Sequence, residues 1–238
     1  MNIRLASKTD LNKIDKIIES ARIFLKSQSI DQWETHYPDR GKMSKDIELG
    51  TGFVCETDGN IDAYFSLSFL PDESYNIILG GRWQTDYEYA VLHHFAVAES
   101  QRRSGIAGQI MEFVIKTCTE NHIRSIRIDT HKENLPMKGL LKKFKFIKCG
   151  KIILSDSGEE RDAYEKIVIE FLKDDIYALK KTHPCGSNIF KVTGTGMDIT
   201  LCCLNCNRQI RLDRKDLRKR IKKRLTSDDI AKLKLNEN

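Results

Sequence analysis

Apolar positions recur along the first two-thirds of the chain with two different periods, and the switches between them predict the elements. Asn2–Leu5 reads as a short strand, and Ser7-x-x-Asp10 as a capping box opening a helix. Leu11, Ile14, Ile17, Ile18 and Ala21 form one stripe of that helix, and a second short helix is expected through Phe24 and Leu25. Residues 28–41 read as a loop holding Trp33, His36 and Tyr37. Gly52–Glu56 and Ile61–Phe69, joined by Asp58-Gly59, predict a hairpin. Pro71 to Thr85 is a loop with Tyr75 and Trp83 as its large aromatics. Tyr89–Val97 is rich in β-branched and aromatic residues, as a strand requires. Ile106, Ile110, Phe113, Val114 and Cys118 then mark a helix. Ile123–Thr130 predicts a strand, Leu135–Lys145 a helix, and Phe146–Leu154 with Ala163–Phe171 a closing antiparallel pair. The order βα(α)βββαβαββ is α/β, a mixed central sheet flanked by helices.

The last third has a different pattern. Short strands are expected through Ile189–Val192 and Ile199–Leu204, followed by a helix from Asp213 with Leu217, Ile221 and Leu225 on one stripe. The last dozen residues are polar and are expected to be mobile. Charge divides the chain at the same place. Residues 1–172 carry 24 Lys/Arg against 26 Asp/Glu, whereas residues 173–238 carry 16 against 8, so the excess positive charge lies in the C-terminal segment. Two domains are expected, 1–172 and 173–238, the second a small, mainly β module ending in a basic helix. No apolar run approaches the roughly 18 residues of a membrane span, and the polar N-terminus lacks the apolar core of a signal peptide. Three of the seven cysteines are scattered among core positions and four cluster late, which fits reduced thiols in a cytoplasmic protein rather than a secreted disulfide scaffold.

Between the strand 89–97 and the next helix lies Arg102-Arg103-Ser104-Gly105-Ile106-Ala107-Gly108. A glycine turn at the positive end of a helix presents backbone N–H groups to an anion such as a pyrophosphate. Leu92-x-x-Phe95-x-Val97 followed by Arg102-x-x-Gly105-x-Ala107 resembles the coenzyme A signature of the GNAT family of N-acetyltransferases. The resemblance continues in Arg127-Ile128-Asp129-Thr130-His131-x-x-Asn134 and Met137-x-x-Leu140-Leu141-x-Lys143-x-x-Phe146, and upstream in Gln32-Trp33 and Tyr37-Pro38.

That resemblance implies acetyl-CoA as cosubstrate and direct transfer to an amine acceptor, without a covalent cysteine intermediate. Cys118, on the apolar helix stripe, reads as core. The amides from Arg103 to Gly108 would hold the pyrophosphate, with Arg102 and Arg103 adding charge-assisted contacts. Backbone groups of Phe95, Ala96 and Val97 would hold the pantetheine and polarise the thioester. Asn134 either reaches the cofactor or caps a helix. The acceptor must lose a proton, and the candidate bases are His93, His94, Asp129 and His131. Simple alternation puts His93 on the face of Val91, Phe95 and Val97, with His94 pointing the other way. Only one of the two histidines then faces the reacting group. Trp33, Tyr37, Tyr75 and Trp83 either shape the acceptor site or pack loop against core, and Glu34, Asp39, Asp72 and Glu73 either attract a cationic amine or are simply solvated loop acids. The chain departs from the family pattern at Leu141, where a proton-donating tyrosine is common, and at Lys145 and Glu99, where glycine and proline are usual.

In the last third, His183-x-Cys185 and Cys203-x-x-Cys206 supply four ligands of the type that hold a structural Zn2+. The alternative is buried free thiols with His183 capping a turn before Pro184. The segment resembles a small bacterial family of unknown function carrying His-Pro-Cys-Gly-Ser-Asn, a later Cys-x-x-Cys and a basic tail. Arg214–Leu225 holds eight Lys/Arg and one Asp, either a solvated face or a surface for RNA or DNA phosphates. The sequence leaves oligomeric state open. Two functions follow: an N-acetyltransferase with a basic module, or a nucleic-acid- or ribosome-associated adaptor that binds acetyl-CoA with little turnover.

Overall fold

A computed structural model describes residues 1–33, 37–226 and 228–230. Glu34, His36 and most of the polar tail lie outside the described residues. The chain separates into two compact units, Met1–Ile169 and Glu170–Asn238. Among the described residues no helix is long and apolar enough to cross a membrane.

The first unit contains β1 (Asn2–Leu5), α1 (Leu11–Ser27), α2 (Arg40–Glu48), β2 (Gly52–Thr57), β3 (Asn60–Ser68), β4 (Tyr89–Val97), α3 (Ile106–Glu120), β5 (Ser125–Thr130), α4 (Leu135–Lys143), β6 (Ile147–Ile153) and β7 (Glu160–Ile167). Ser7 N–H donates to the Asp10 carboxylate at 2.8 Å, and a short 3-10 turn leads into α1. That helix runs unbroken through Phe24 and Leu25. The second helix comes later, at α2, inside and beyond the expected loop. Asp39 caps it by accepting from Lys42 N–H at 2.7 Å. Its apolar stripe is minimal, with Met43 and Asp46 as its buried residues, so periodicity gave no sign of it.

The sheet order is β1-β2-β3-β4-β5-β7-β6, antiparallel except for β4 beside β5. One face packs under α1 and α2 through Ile14, Ile18, Met43, Val54 and Tyr64. The other packs under α3 and α4 through Phe65, Leu92, Ile110, Val114 and Leu141. Two features of β4 position the site. Its pairing with β5 covers only Tyr89–Val91 against Ser125–Arg127, so the two strands part beyond Val91. On its other side Ser66 pairs with His93 but Tyr64 with Ala96. His94 and Phe95 therefore stand opposite Phe65 alone, a β-bulge, with His94 at φ +53°.

The second unit holds β8 (Ile176–Leu179), β9 (Ile189–Thr195), β10 (Asp198–Cys203), β11 (Gln209–Asp213), α5 (Arg214–Arg220) and β12 (Ile221–Leu225). These strands form an antiparallel sheet in the order β11-β10-β9-β8-β12, over a core that includes Phe171, Tyr177, Phe190, Val192, Leu201 and Leu217. The module is β-rich, and its basic helix is shorter than expected. It ends at Arg220, and Ile221–Leu225 pairs with β8 as an edge strand. The spacing of Leu217, Ile221 and Leu225 fits a helix, but Ile221 and Leu225 lie opposite Leu179 and Ile176 on that strand.

Candidate active site and a cysteine cluster

Where β4 and β5 part, a cavity of about 840 Å³ opens, with the N-terminus of α3 at one end and the bulge on its wall. Arg103 (φ +66°) and Gly105 (φ +97°) bend the chain into α3. The N–H groups of Ser104 and Gly108 are committed to the carbonyls of Gln101 and Gly105, which leaves those of Arg103, Gly105 and Ala107 as the donors of the turn. Arg102 does not extend toward an anion. Its guanidinium donates to the Ser20 carbonyl and hydroxyl, each at 2.9 Å, and stacks 4.4 Å over Phe24, tying the turn to α1. The second cation at the turn is Lys143 of α4. A Cβ on Gly108 would stand 3.5 Å from its ammonium.

The bulge overturns the expected alternation on β4. Phe95 and Val97 join Ala90 and Leu92 on the α3 side, whereas Val91 lies in a cluster with Tyr75 on the opposite side. Both His93 and His94 line the cavity, their ring centroids 5.7 Å apart. His93 Nε2 is 3.1 Å from Asp72 and its Nδ1 is 3.8 Å from Asp129. The bond to His93 holds the Asp72 carboxyl at about 2. His94 is buried, with Nδ1 2.8 Å from Asp46 Oδ2 and Nε2 3.2 Å from the Tyr37 hydroxyl. Burial pushes the His94 pKa below the ordinary imidazole value. It also pushes Tyr37 up, helped by the fields of Asp156, Asp46, Asp72 and Asp129. Burial works against the Asp46 carboxylate too, but bonds from His94 and Lys42 outweigh it and keep its pKa below the usual range.

Other sequence candidates fall elsewhere. His131 pairs with Asp31 at 2.9 Å and accepts from Glu133 N–H, and it is not among the residues lining the cavity. Strand β5 ends at Thr130, and the turn before α4 carries His131 away. Tyr75 and Trp83 pack rather than line the acceptor end. Their rings stack at 5.6 Å, Trp83 Nε1 donates to the Tyr75 carbonyl at 3.0 Å, and Arg127 lies 4.2 Å over Trp83. The Tyr75 hydroxyl holds Asp129 at 2.7 Å. Trp33 and Tyr37 do line the cavity. Asp39 is the cap of α2 rather than a free loop acid. Asn134 takes the cap role with Oδ1, which accepts from Met137 N–H at 3.1 Å, while its Nδ2 donates to Gln32 in the cavity wall. Leu141 is wholly buried. Cys118 is buried and its thiol is pushed up to about 12, so it carries no thiolate. Asp46 lies in no motif and acts on the cavity only through His94, whereas Lys143 is a motif position of α4 to which the sequence assigns no role.

In the second unit, two hydrogen-bonded turns bring His183, Cys185, Cys203 and Cys206 together, with all four ligand atoms within 4.8 Å of one another. His183 Nδ1 is 3.1 Å from Cys185 Sγ and 3.4 Å from Cys206 Sγ, and Cys185 and Cys203 sulfurs are 3.5 Å apart. Ligands at about 2.3 Å (S) and 2.0 Å (N) from one zinc stand roughly 3.5–3.8 Å apart at tetrahedral corners. Ser187 N–H and His183 pull the Cys185 thiol down to about 6. Cys202 turns away toward the Asn207 carbonyl. The basic segment divides between α5 and β12, and Arg218, Lys223 and Arg224 pair with Glu170, Asp229 and Asp175.

Residues 18–146, just over half of the chain, match the acetyltransferase (GNAT) family. The chain belongs to the GNAT family of acetyltransferases. A solved GNAT acetyltransferase from Streptococcus agalactiae 2603 is 31% identical with a TM-score of 0.65, covering 70% of this chain and 94% of that one. Another from Listeria monocytogenes 4b F2365 is 23% identical with a TM-score of 0.52, covering 70% and 94%. The fold is shared with the PaiA N-acetyltransferase of Thermoplasma acidophilum, solved in complex with coenzyme A, at 15% identity and a TM-score of 0.53, covering 70% and 98%. Residues 171–225 match a family described as bacterial protein of unknown function (DUF951). YyzM of Bacillus subtilis (strain 168), an uncharacterized protein, is 35% identical over 60 residues, covering 25% of this chain and 88% of that protein.

The acetyltransferase cavity suits an acetyl-CoA chain in three respects. The turn offers amides and two cations. The edge of β4 facing β5 is unpaired beyond Val91. The buried Thr130 hydroxyl on the cavity wall has no hydrogen-bond partner among the described residues.

Proposed function

We propose that the first unit transfers the acetyl group of acetyl-CoA directly to the amine of an acceptor. The observation that carries this reading is the parting of β4 from β5, whose unpaired edge leads into the turn at the head of α3. Amides of Arg103, Gly105 and Ala107, with the Arg103 and Lys143 cations, hold the pyrophosphate. Backbone groups of Phe95, Ala96 and Val97 hold the pantetheine as an added strand and polarise the thioester carbonyl. Trp33 and Tyr37 flank the acceptor, and a histidine–carboxylate pair on the bulge takes the amine proton. Transfer needs no cysteine adduct, in keeping with the raised Cys118 thiol.

The test is to incubate the full chain with acetyl-CoA and a panel of polyamines, amino acids, aminoglycosides and ribosomal proteins. Thiol release and the mass of each acceptor are then followed. Release above background with an acetylated product supports the reading, and none across the panel sinks it.

For the second unit, the four clustered ligand atoms support a structural zinc site. A 69-residue unit with a core this small gains from such a staple. Metal analysis of the purified chain is expected to give one zinc per molecule, and a value far below that removes the site.

A further inference from the structure

Acetyl transfer from a thioester to an amine moves one proton off nitrogen and one onto sulfur. Four cavity side chains come into question, Asp129, His93, His94 and Tyr37, and Asp129 Oδ1 is already held by the Tyr75 hydroxyl. His93 Nε2 is held by Asp72 at 3.1 Å, and its Nδ1 stands 3.8 Å from that same Asp129 oxygen, so this imidazole has one hydrogen-bonded partner and no relay behind it. His94 differs. Asp46 Oδ2 is an acceptor that takes Nδ1–H at 2.8 Å, so in the neutral ring Nε2 keeps its lone pair. That lone pair faces the Tyr37 hydroxyl at 3.2 Å, and Tyr37 lines the cavity.

The surroundings fix this chain of bonds. Asp46 is buried and is held by Tyr64 O–H at 3.0 Å and Lys42 at 3.1 Å as well as by His94. The groups facing His94 are thus Asp46, Tyr37, His93 and, through Asp46, Lys42 and Tyr64. A buried carboxylate and imidazole cost more than the apolar pair that would fill the same space. His94 also occupies a left-handed backbone conformation that is strained in a residue other than glycine. Both features turn one imidazole toward the cavity.

We propose that Tyr37, His94 and Asp46 form a single proton shuttle for the acetyl transfer, an inference that rests on the acetyltransferase reading above. The neutral amine attacks the thioester carbon and a C–N bond forms. The surplus proton on nitrogen passes to the Tyr37 oxygen as the Tyr37 proton passes to His94 Nε2, and the imidazolium is balanced by Asp46. When the C–S bond breaks, Tyr37 gives a proton to the thiolate and recovers one from His94. The proton lost by nitrogen is the one gained by sulfur, and all three side chains end as they began. Asp46 acts as a positioning residue through His94, and Tyr37 meets the reacting atoms. One device serves both ends of the reaction in a chain whose position 141 is a buried leucine.

Two measurements test it. The first needs no acceptor: 15N NMR of histidine-labelled full chain, with His94 assigned by its loss in His94→Gln. The expected state near neutral pH is protonated Nδ1 and bare Nε2, and a protonated Nε2 overturns the shuttle. The second is turnover of acetyl-CoA with the amine panel by wild type, Tyr37→Phe and Asp46→Asn, with coenzyme A affinity measured alongside. The shuttle predicts a kcat loss of at least about 30-fold in Tyr37→Phe with KM and coenzyme A affinity within about threefold. Asp46→Asn should lower kcat and change the acidic limb of the pH profile. An active wild type with Tyr37→Phe within threefold of its kcat overturns the shuttle and leaves acetyl transfer standing. A wild type inactive with every amine removes both.

Discussion

The imidazole of His94 lies 5.7 Å, centroid to centroid, from that of His93, although the two are successive residues of one strand. In a regular strand such neighbours point to opposite faces. The bulge opposite Phe65 removes that constraint and brings two histidine–carboxylate pairs to one cavity wall.

Burial of His94 gives a stability prediction. Its native pKa lies below 6.5, so between those two values the unfolded chain binds a proton that the folded chain does not. Stability contributed by the neutral, buried imidazole is complete above 6.5 and is lost as pH falls toward the native value. Urea midpoints should therefore drop between pH 7 and pH 5.5 in wild type. The drop should be smaller in His94→Gln, and an equal drop would place the titrating group elsewhere.

Gly105 adopts φ +97°, and a Cβ there meets no atom within 4 Å, so backbone strain is the only penalty for a side chain. Gly105→Ala should lower stability by about 1 kcal/mol. It should also weaken coenzyme A binding several-fold, because the same φ aims the amides of the turn. Calorimetric titration with coenzyme A checks this, and unchanged affinity would separate the turn from the cofactor.

Much of the fold was legible because its periods are strong. Strand β4 spans the residues expected of it, and the stripe from Ile106 to Cys118 lies on α3. The site was less legible. A histidine with positive φ leaves no local signal, and one extra residue in a strand reverses every later side chain. Asp46 was hidden because α2 buries too few apolar residues to show a stripe. In the second unit, short edge strands such as Gln209–Asp213 alternate too briefly to stand out from the surrounding charge.

Lys145 sits at φ +59° just past the end of α4, where its N–H closes on the Lys142 carbonyl. Glycine favours this left-handed position, and a lysine there bears about 1 kcal/mol of strain. Lys145→Gly should raise the urea midpoint by a corresponding amount without altering coenzyme A affinity. A lower midpoint would mean that the lysine side chain contributes more than its backbone costs.

The paired cysteines of β10 offer the sharpest contrast. Cys203 is buried with its sulfur 3.5 Å from that of Cys185, whereas the Cys202 sulfur faces backbone carbonyls of Cys203 and Asn207. If the cluster holds zinc, Cys203→Ser should abolish metal retention and unfold the second unit, because three ligands and a small core leave it without its staple. Cys202→Ser should keep one zinc per chain and a wild-type melting profile. Chelation of the wild-type protein should reproduce the Cys203→Ser profile and leave coenzyme A binding by the first unit intact. Equal metal content in the two serine variants would exclude Cys203 as a ligand, and with it the tetrahedral site.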